Sequence, residues 1–237
     1  MFRVFVGTLY SGEGDLDECL AAIKKQAGVE VTHKVISNLP EREAHNTLWR
    51  EWRSVQYTGF DFFVKIDADT VMTSDIALKT IGEQFQRTDV TGIQCPLHDF
   101  YSDSLINGMN CFSPSVAFLE TTDDLYCDRV DVGHKRVLRG SDLPGILNPV
   151  GKHCWFAQNV HSFHFGLHRM MKNQHETLRK VRIAYAKDPD QRRAFALLGA
   201  KAAKSWDPSW GFSYADEAFQ REYANVVSRF DELVKDI

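Results

Sequence analysis

The segment FDFFVKIDADTVM, residues 60–72, decides the fold. An apolar run over residues 62–66 ends in two carboxylates, Asp67 and Asp69, that are one residue apart. This pattern predicts a buried strand with an ion site at its end, because ligands of open α/β sheets bind outside the carboxyl ends of the strands. On an extended segment both carboxylates point the same way, and a shared Mg²⁺ or Mn²⁺ relieves their repulsion. A loop with solvated or capping aspartates is the alternative, which the apolar run disfavours.

The residues before this segment predict alternating strands and helices. Strands are expected over residues 3–9, 29–36 and up to Asp67, and helices from residue 15 and over 41–56. Asp15 is the expected N-cap of the first helix, and Trp49 and Trp52 lie on the buried face of the second. The order β-α-β-α-β predicts a parallel sheet with right-handed crossovers. The loop over residues 12–14 lacks the residues of a dinucleotide or P-loop motif, which favours a flexible turn.

The residues after this segment predict less regular structure. We expect a helix over 75–85, a strand over 91–95 that Pro96 ends, an irregular segment over 97–114 and a strand over 116–119. The irregular segment mixes polar and aromatic residues without periodicity, as is typical of a substrate loop.

Histidines concentrate late in the chain. Four of the nine fall between His153 and His168. If residues 160–169 are extended, His161 and His164 face opposite ways, whereas on a helix they share one face with His168. Histidine is a common metal ligand, although each of these residues could equally be packed and hydrogen-bonded in a core. We predict that His161 or His164 is a third metal ligand, with His161 preferred.

The remaining residues predict a helical C-terminal extension over residues 170–237. Helices are expected over 175–187, 191–204 and 216–237, and the last carries an apolar stripe. That stripe is an interior face, or else a contact with a second subunit or a membrane surface, and the oligomeric state stays open. Basic residues of the first two helices suit a solvated face or a lipid-linked, anionic acceptor.

Composition excludes some classes of function. The chain has 237 residues and is 43% hydrophobic, which is enough for one substantial core. Its formal net charge of −4 lacks the excess of basic residues that is typical of nucleic-acid-binding proteins. No apolar run approaches the roughly 20 residues that cross a bilayer. The N-terminus becomes polar too early for a secretory signal. Five cysteines without a Cys-x-x-Cys pair predict ordinary thiols in a reducing cytoplasm.

Together these features resemble the glycosyltransferases of the GT-A fold, similar to the family 2-like bacterial enzymes. The resemblance rests on the N-terminal strand and helix alternation, on Ile66-Asp67-Ala68-Asp69 as an Asp-x-Asp motif, and on the histidine region running into residues 165–169. It covers residues 1–169, which form the expected catalytic domain. It implies an α/β, Rossmann-like fold with a mixed, mainly parallel sheet flanked by helices.

The resemblance also implies a donor site. In such enzymes Mn²⁺ or Mg²⁺ joins the Asp-x-Asp carboxylates to the diphosphate of a nucleotide-sugar donor, so Asp67 and Asp69 are the expected anchors. The expected nucleotide contacts are Thr8, Tyr10, Asn38, His45 and Asn46. The family often has an aspartate after the second strand, where this chain has Ser37 and Asn38, so the base stays open.

The reaction implied is an inverting transfer of a hexosyl group to a saccharide or lipid-linked acceptor. The divalent ion stabilises negative charge on the leaving diphosphate, and a carboxylate or histidine must take the proton of the acceptor hydroxyl. Asp142 is the candidate base.

Two other classes of protein fit parts of the sequence. Residues 67–71, DADTV, also match the signature of haloacid-dehalogenase-like phosphatases, in which Asp67 would be a nucleophile and Asp123 and Asp124 a late acidic motif. That family carries its motif on the first strand, and here two strand-helix units precede it. The other alternative is a relative that binds a nucleotide or saccharide without turnover.

Overall fold

The first three strands form the expected parallel arrangement. In the computed structural model, which describes residues 1–127, 134–207 and 209–237, β1 (Phe2–Tyr10) lies between β2 (Val29–Ser37) and β3 (Phe62–Asp67) and pairs parallel with both. The connecting helices are α1 (Leu16–Lys24) and α2 (Glu41–Val55). Strands covered on both faces read as nearly continuous apolar runs, and in β3 only Lys65 interrupts the run before Asp67. The predicted β-α-β-α-β order is therefore confirmed.

The other strands extend this sheet and make it mixed. They and the next helix are β4 (Thr70–Met72), α3 (Ala77–Phe85), β5 (Gly92–Asp99), β6 (Ser104–Phe112), β7 (Val137–Arg139) and β8 (Gly151–His153). The order is β2-β1-β3-β6-β5-β8-β4, and β7 pairs with β5. β3 with β6 and β4 with β8 are antiparallel, whereas β5 with β7 is parallel. The predicted class, an α/β fold with a mixed sheet flanked by helices, is confirmed.

Two expectations about residues 91–114 are wrong. β5 continues through Pro96 to Asp99, and most of the expected irregular segment over 97–114 belongs to β5 and β6. Pro96 removes one N–H donor but its carbonyl oxygen still accepts from the Val150 N–H at 2.9 Å. Ser, Asn and Gly are weak strand formers, so β6 owes its conformation to pairing with its neighbours rather than to propensity. Gly108 of β6 leaves room for the side chain of Leu97.

No strand forms over residues 116–119, which the structure describes as irregular backbone. Val116 and Phe118 are nonetheless buried, and the Val116 N–H donates to the Ser113 carbonyl oxygen in a turn. Their apolar character therefore reflects packing against an aromatic cluster and not a place in the sheet. In this cluster Phe118 stacks on Trp49 with ring centroids 4.5 Å apart.

The chain divides into two compact units. The first contains Met1–His98 and Leu105–Trp155, and the second contains Asp99–Ser104 and Phe156–Ile237. The helices of the second unit are α4 (Asn159–Met171), α5 (His175–Lys187), α6 (Gln191–Ala202), α7 (Glu217–Ser228) and α8 (Phe230–Leu233). The boundary expected after residue 169 falls inside α4. Among the described residues, none of the helices combines the length and the apolar content needed to traverse a bilayer.

Within the second unit α4 and α6 meet at two glycines. A Cβ on Gly166 would overlap the Ala196 carbonyl oxygen, and a Cβ on Gly199 would overlap the Phe163 carbonyl oxygen. Neither obstacle is a flexible side chain, so the two helix backbones would have to separate.

We expect Gly166→Ala to destabilise the protein by about 3 kcal/mol, the upper end of overpacking, despite the better helix propensity of alanine. The measurement is the free energy of unfolding by urea titration. The matched control is Gly145→Ala, because a Cβ there meets no atom within 4 Å. Equal stability of the two variants would show that the helices tolerate a wider separation.

Candidate metal centre

Asp69 lies in the turn between β3 and β4, where backbone hydrogen bonds hold it. The Ala68 N–H donates to the Leu9 carbonyl oxygen at 2.9 Å, which fixes the end of β3 beside β1. The Cys154 N–H donates to the Asp69 carbonyl oxygen at 2.8 Å. Antiparallel pairing of β4 with β8 sets Thr70 opposite His153. Residues that are far apart in the sequence therefore meet at the carboxyl end of β3.

Three metal-ligating side chains converge in this turn. His153 Nε2 lies 3.3 Å from Asp69 Oδ2, Cys154 Sγ lies 3.3 Å from the same oxygen, and Cys154 Sγ lies 3.5 Å from His153 Nε2. We call Asp69, His153 and Cys154 the donor cluster. Cys154 is buried and the other two side chains are mostly buried. Sequence reasoning missed His153 and Cys154, although the histidine-rich stretch that contains them was the available signal.

The electrostatics of the donor cluster keep Asp69 ionised. Burial raises the pKa of Asp69, but the charge of His153 and hydrogen bonds from His153 and Cys154 outweigh it. Lys65 adds a favourable charge, and the pKa falls well below its ordinary value. Asp69 is therefore an anionic oxygen donor at neutral pH.

Asp67 has a different partner. The ammonium of Lys65 lies 2.7 Å from each carboxylate oxygen of Asp67, and the Lys65 side chain is buried. The two residues are two positions apart on β3 and so share one face of the strand. The carboxylate of Asp67 is half exposed and its charge is balanced by Lys65. Asp69 contacts His153 and Cys154 whereas Asp67 contacts Lys65, and a metal ion shared by the two carboxylates stays a prediction.

Glu13, in the loop after β1, is a further acid that sequence reasoning missed. Burial and then the charge of Asp69 raise its pKa to about 7, and Asp67 adds to the effect. Its Oε2 accepts from the Ser11 N–H at 2.6 Å. The negative potential that holds this proton would attract a cation.

The raised pKa of Glu13 predicts a pH-dependent cost in stability. The folded protein binds this proton more tightly than the unfolded chain does, so stability falls as the pH rises from about 4.5 through about 7. We expect Glu13→Gln to gain stability over the wild type across this range and to keep the gain above it. Unfolding free energies measured at several pH values check this, with Glu18→Gln, at an exposed site on α1, as the control. A gain in stability of equal size at every pH would contradict a raised pKa for Glu13.

The residues expected around the nucleotide occupy varied environments in the first unit. The hydroxyl of buried Thr8 lies 2.8 Å from His33 Nε2, and Tyr10 ends β1. The Asn38 N–H donates to the Tyr10 carbonyl oxygen at 3.1 Å, and Asn38 has a left-handed φ of 58°. Asn38 therefore lies beside the end of β1, as a contact with a ligand there requires.

Asn46 and His45 lie on the buried side of α2. The Asn46 amide accepts from the Thr121 N–H at 2.9 Å and donates to the Thr121 carbonyl oxygen at 3.0 Å. His45 Nδ1 lies 2.8 Å from the Glu41 carbonyl oxygen and 3.4 Å from Cys127 Sγ. These contacts give Asn46 a role in positioning residue 121, and a nucleotide contact by either side chain stays a prediction.

The histidines expected as the third ligand lie in the second unit. On α4, His161 packs edge-on against Tyr214, and the rings of His164 and Tyr214 are 4.5 Å apart. Burial, followed by the charge of His161, lowers the pKa of His164 to about 4, so His164 is neutral at neutral pH. Metal ligation by His161 or His164 stays a prediction. Asp142 is exposed at the end of a 3₁₀ turn over Gly140–Asp142, and its role as a base stays a prediction too.

No protein-family model matches the chain, and no curated protein sequence does. Solved structures do show similarity. A mannosyltransferase, PcManGT from Pyrobaculum calidifontis in complex with GDP-Man and Mn²⁺, has 13% identity and a TM-score of 0.35, covering 98% of this chain and 82% of that chain. S. aureus TarS has 12% identity and a TM-score of 0.41, covering 99% and 81%.

A further similar structure is a mutant of Drosophila galactosyltransferase 7 in complex with manganese, UDP-Gal and xylobiose. It has 12% identity and a TM-score of 0.34, covering 66% of this chain and 69% of that chain. The structures that this chain resembles thus include glycosyltransferases.

Proposed function

We propose that this protein is a metal-dependent glycosyltransferase that moves a sugar from a nucleotide-diphosphate donor to an acceptor hydroxyl. The observation that carries the proposal is the donor cluster at the carboxyl end of β3, the edge at which open α/β sheets bind ligands. The ionised carboxylate of Asp69 and the imidazole of His153 suit Mn²⁺, for which carboxylate oxygen is a preferred ligand. These residues therefore fit the metal that such a reaction uses.

Each residue of the site has a role in this proposal. Asp69 and His153 would hold the ion, which would supply Lewis-acid stabilisation of the negative charge on the leaving diphosphate. Lys65, buried beside the carboxylate of Asp67, adds fixed positive charge to the same region. The carboxylate of Asp67 is half exposed, and besides its pairing with Lys65 it can accept hydrogen bonds from the hydroxyls of the donor. The exposed Asp142 takes the proton of the acceptor hydroxyl in an inverting, hexosyl-type transfer.

A saccharide or lipid-linked acceptor is part of the proposal. On α5 of the second unit, the exposed surface carries Arg179, Arg182 and Lys187 together with Ile183, which is 54% exposed. Basic side chains around an exposed apolar residue suit contact with an anionic acceptor or with the cytoplasmic surface of a membrane.

The phosphatase alternative loses support from the structure. Asp123 Oδ1 accepts from the N–H groups of Leu125 and Tyr126, and Asp124 pairs with Arg42 at the surface. The strand expected before these aspartates does not form, and the DADTV segment follows the third strand of the chain rather than the first. Asp123 thus caps a local turn and Asp124 forms a surface ion pair, so neither carboxylate needs a late acidic motif to explain it.

The test is a calorimetric titration of the purified protein with UDP, GDP and CMP, each with and without Mn²⁺. Mn²⁺-dependent binding of a nucleoside diphosphate would support the donor site and would identify the base of the donor nucleotide. Absence of binding under both conditions would overturn the proposal. Binding without transfer to any of a panel of acceptors would instead indicate a non-catalytic relative.

A further inference from the structure

We propose that the Cys154 thiolate is a metal ligand and that the donor cluster therefore binds Zn²⁺ in preference to Mn²⁺ or Mg²⁺. The inference rests on the proposed function only in taking Asp69 as a ligand of the ion. It concerns which metal the side chains select, and it does not depend on the nucleotide or the acceptor.

The spacing of the three donor atoms fits a zinc ion. Ligand atoms at about 2.0–2.3 Å from a tetrahedral Zn²⁺ lie about 3.3–3.7 Å from one another. The three distances in the donor cluster are 3.3, 3.3 and 3.5 Å. The donors form one face of such a tetrahedron, and the fourth position is left for water or a phosphate oxygen, as in catalytic zinc sites.

The backbone of Cys154 is held in place for this contact. Its φ of 59° lies in the left-handed region, which residues with a side chain adopt infrequently. The hydrogen bond from its N–H to the Asp69 carbonyl oxygen keeps it there. Such a conformation persists only where the surroundings over-determine it, and it often marks a functional site. Here it brings the sulfur to the carboxylate of Asp69.

The kind of donor atom decides the metal preference. Thiolate sulfur is soft and suits zinc, whereas Mg²⁺ and Mn²⁺ prefer carboxylate, carbonyl and water oxygens. Zinc also binds more tightly than manganese to a given nitrogen, oxygen and sulfur site. Binding releases the Cys154 proton to solvent, since the metal ligand is the thiolate. Zinc therefore competes with manganese for Asp69 and His153, and Cys154 provides the selectivity.

The experiment is a titration of the full-length, metal-free protein with Co²⁺, followed by displacement with Zn²⁺. A thiolate ligand gives an intense sulfur-to-cobalt charge-transfer band, which is independent of enzymatic activity. We expect the band in the wild type, its loss on addition of one equivalent of Zn²⁺, and its absence in Cys154→Ser. We also expect Cys154→Ser to weaken Zn²⁺ binding by about 100-fold and Mn²⁺ binding by less than about 3-fold.

The matched control is Cys127→Ser. Glu41, His45 and Cys127 form the other group of carboxylate, imidazole and thiol donors within 4.8 Å of one another among the described residues. Because Cys127 is also buried, its replacement perturbs the fold in a comparable way and should leave the band intact. A band that persists in Cys154→Ser, or that Cys127→Ser alone removes, would overturn the assignment.

The outcomes separate this inference from the proposed function. A wild-type protein without the band that still binds a nucleotide with Mn²⁺ would overturn the thiolate ligand and leave the glycosyltransferase proposal standing. A band that depends on Cys154, in a protein that binds no nucleotide, would establish the metal site and remove the proposed reaction.

Discussion

Asp69→Asn is expected to weaken Mn²⁺-dependent nucleotide binding by about 100-fold or more, because even the loss of a residue that hydrogen-bonds a metal ligand costs about 10–100-fold. Burial raises the pKa of Asp69, but His153 and Cys154 outweigh it and hold the pKa well below its ordinary value, so the wild-type residue is anionic at neutral pH. Asparagine keeps the shape but removes the charge that attracts the ion. Calorimetric titration of the variant with the nucleotide that the wild type binds, with and without Mn²⁺, measures the loss.

Two further variants make this result specific. Asp17→Asn changes an exposed carboxylate on α1 and should bind the nucleotide as the wild type does. Asp67→Asn should have an intermediate effect, because Lys65 already balances the charge of Asp67 and this side chain lies outside the donor cluster. If Asp69→Asn binds within about twofold of the wild type, the metal is held elsewhere.

The strand that leads to Asp69 was predictable, whereas the partners of Asp69 were not. An apolar run followed by two aspartates identifies a buried strand and its polar end from local pattern alone. His153 and Cys154 reach Asp69 through the antiparallel pairing of β4 with β8, which joins residues about 80 positions apart. Nothing local in residues 152–155 specifies that pairing. The sequence pattern therefore favours the helically spaced histidines of α4 as the third metal ligand.

Similar reasons explain the missed hairpin of β5 and β6. Pro96 and Gly108 are local signals against a strand, and both are tolerated because of the tertiary context. The carbonyl oxygen of Pro96 has a partner in Val150, and Gly108 makes room for Leu97. Helices are easier to predict. α5 begins and ends at the expected residues, because the spacing of its apolar residues and its many good helix formers both favour a helix.

Trp52→Ala is expected to destabilise the protein by about 4 kcal/mol, within the range for removing a buried aromatic side chain. Trp52 is 0% exposed and stacks on Phe63 of β3 with ring centroids 5.2 Å apart, so the cavity would open directly behind the strand that ends at Asp67. A urea titration measures the loss, and Tyr57→Ala, at a site 81% exposed, is the control and should cost much less. Because β3 carries both Lys65 and Asp67, nucleotide binding should weaken in Trp52→Ala even at temperatures where the protein stays folded. A loss of stability under about 1 kcal/mol would mean that the neighbouring rings collapse into the space.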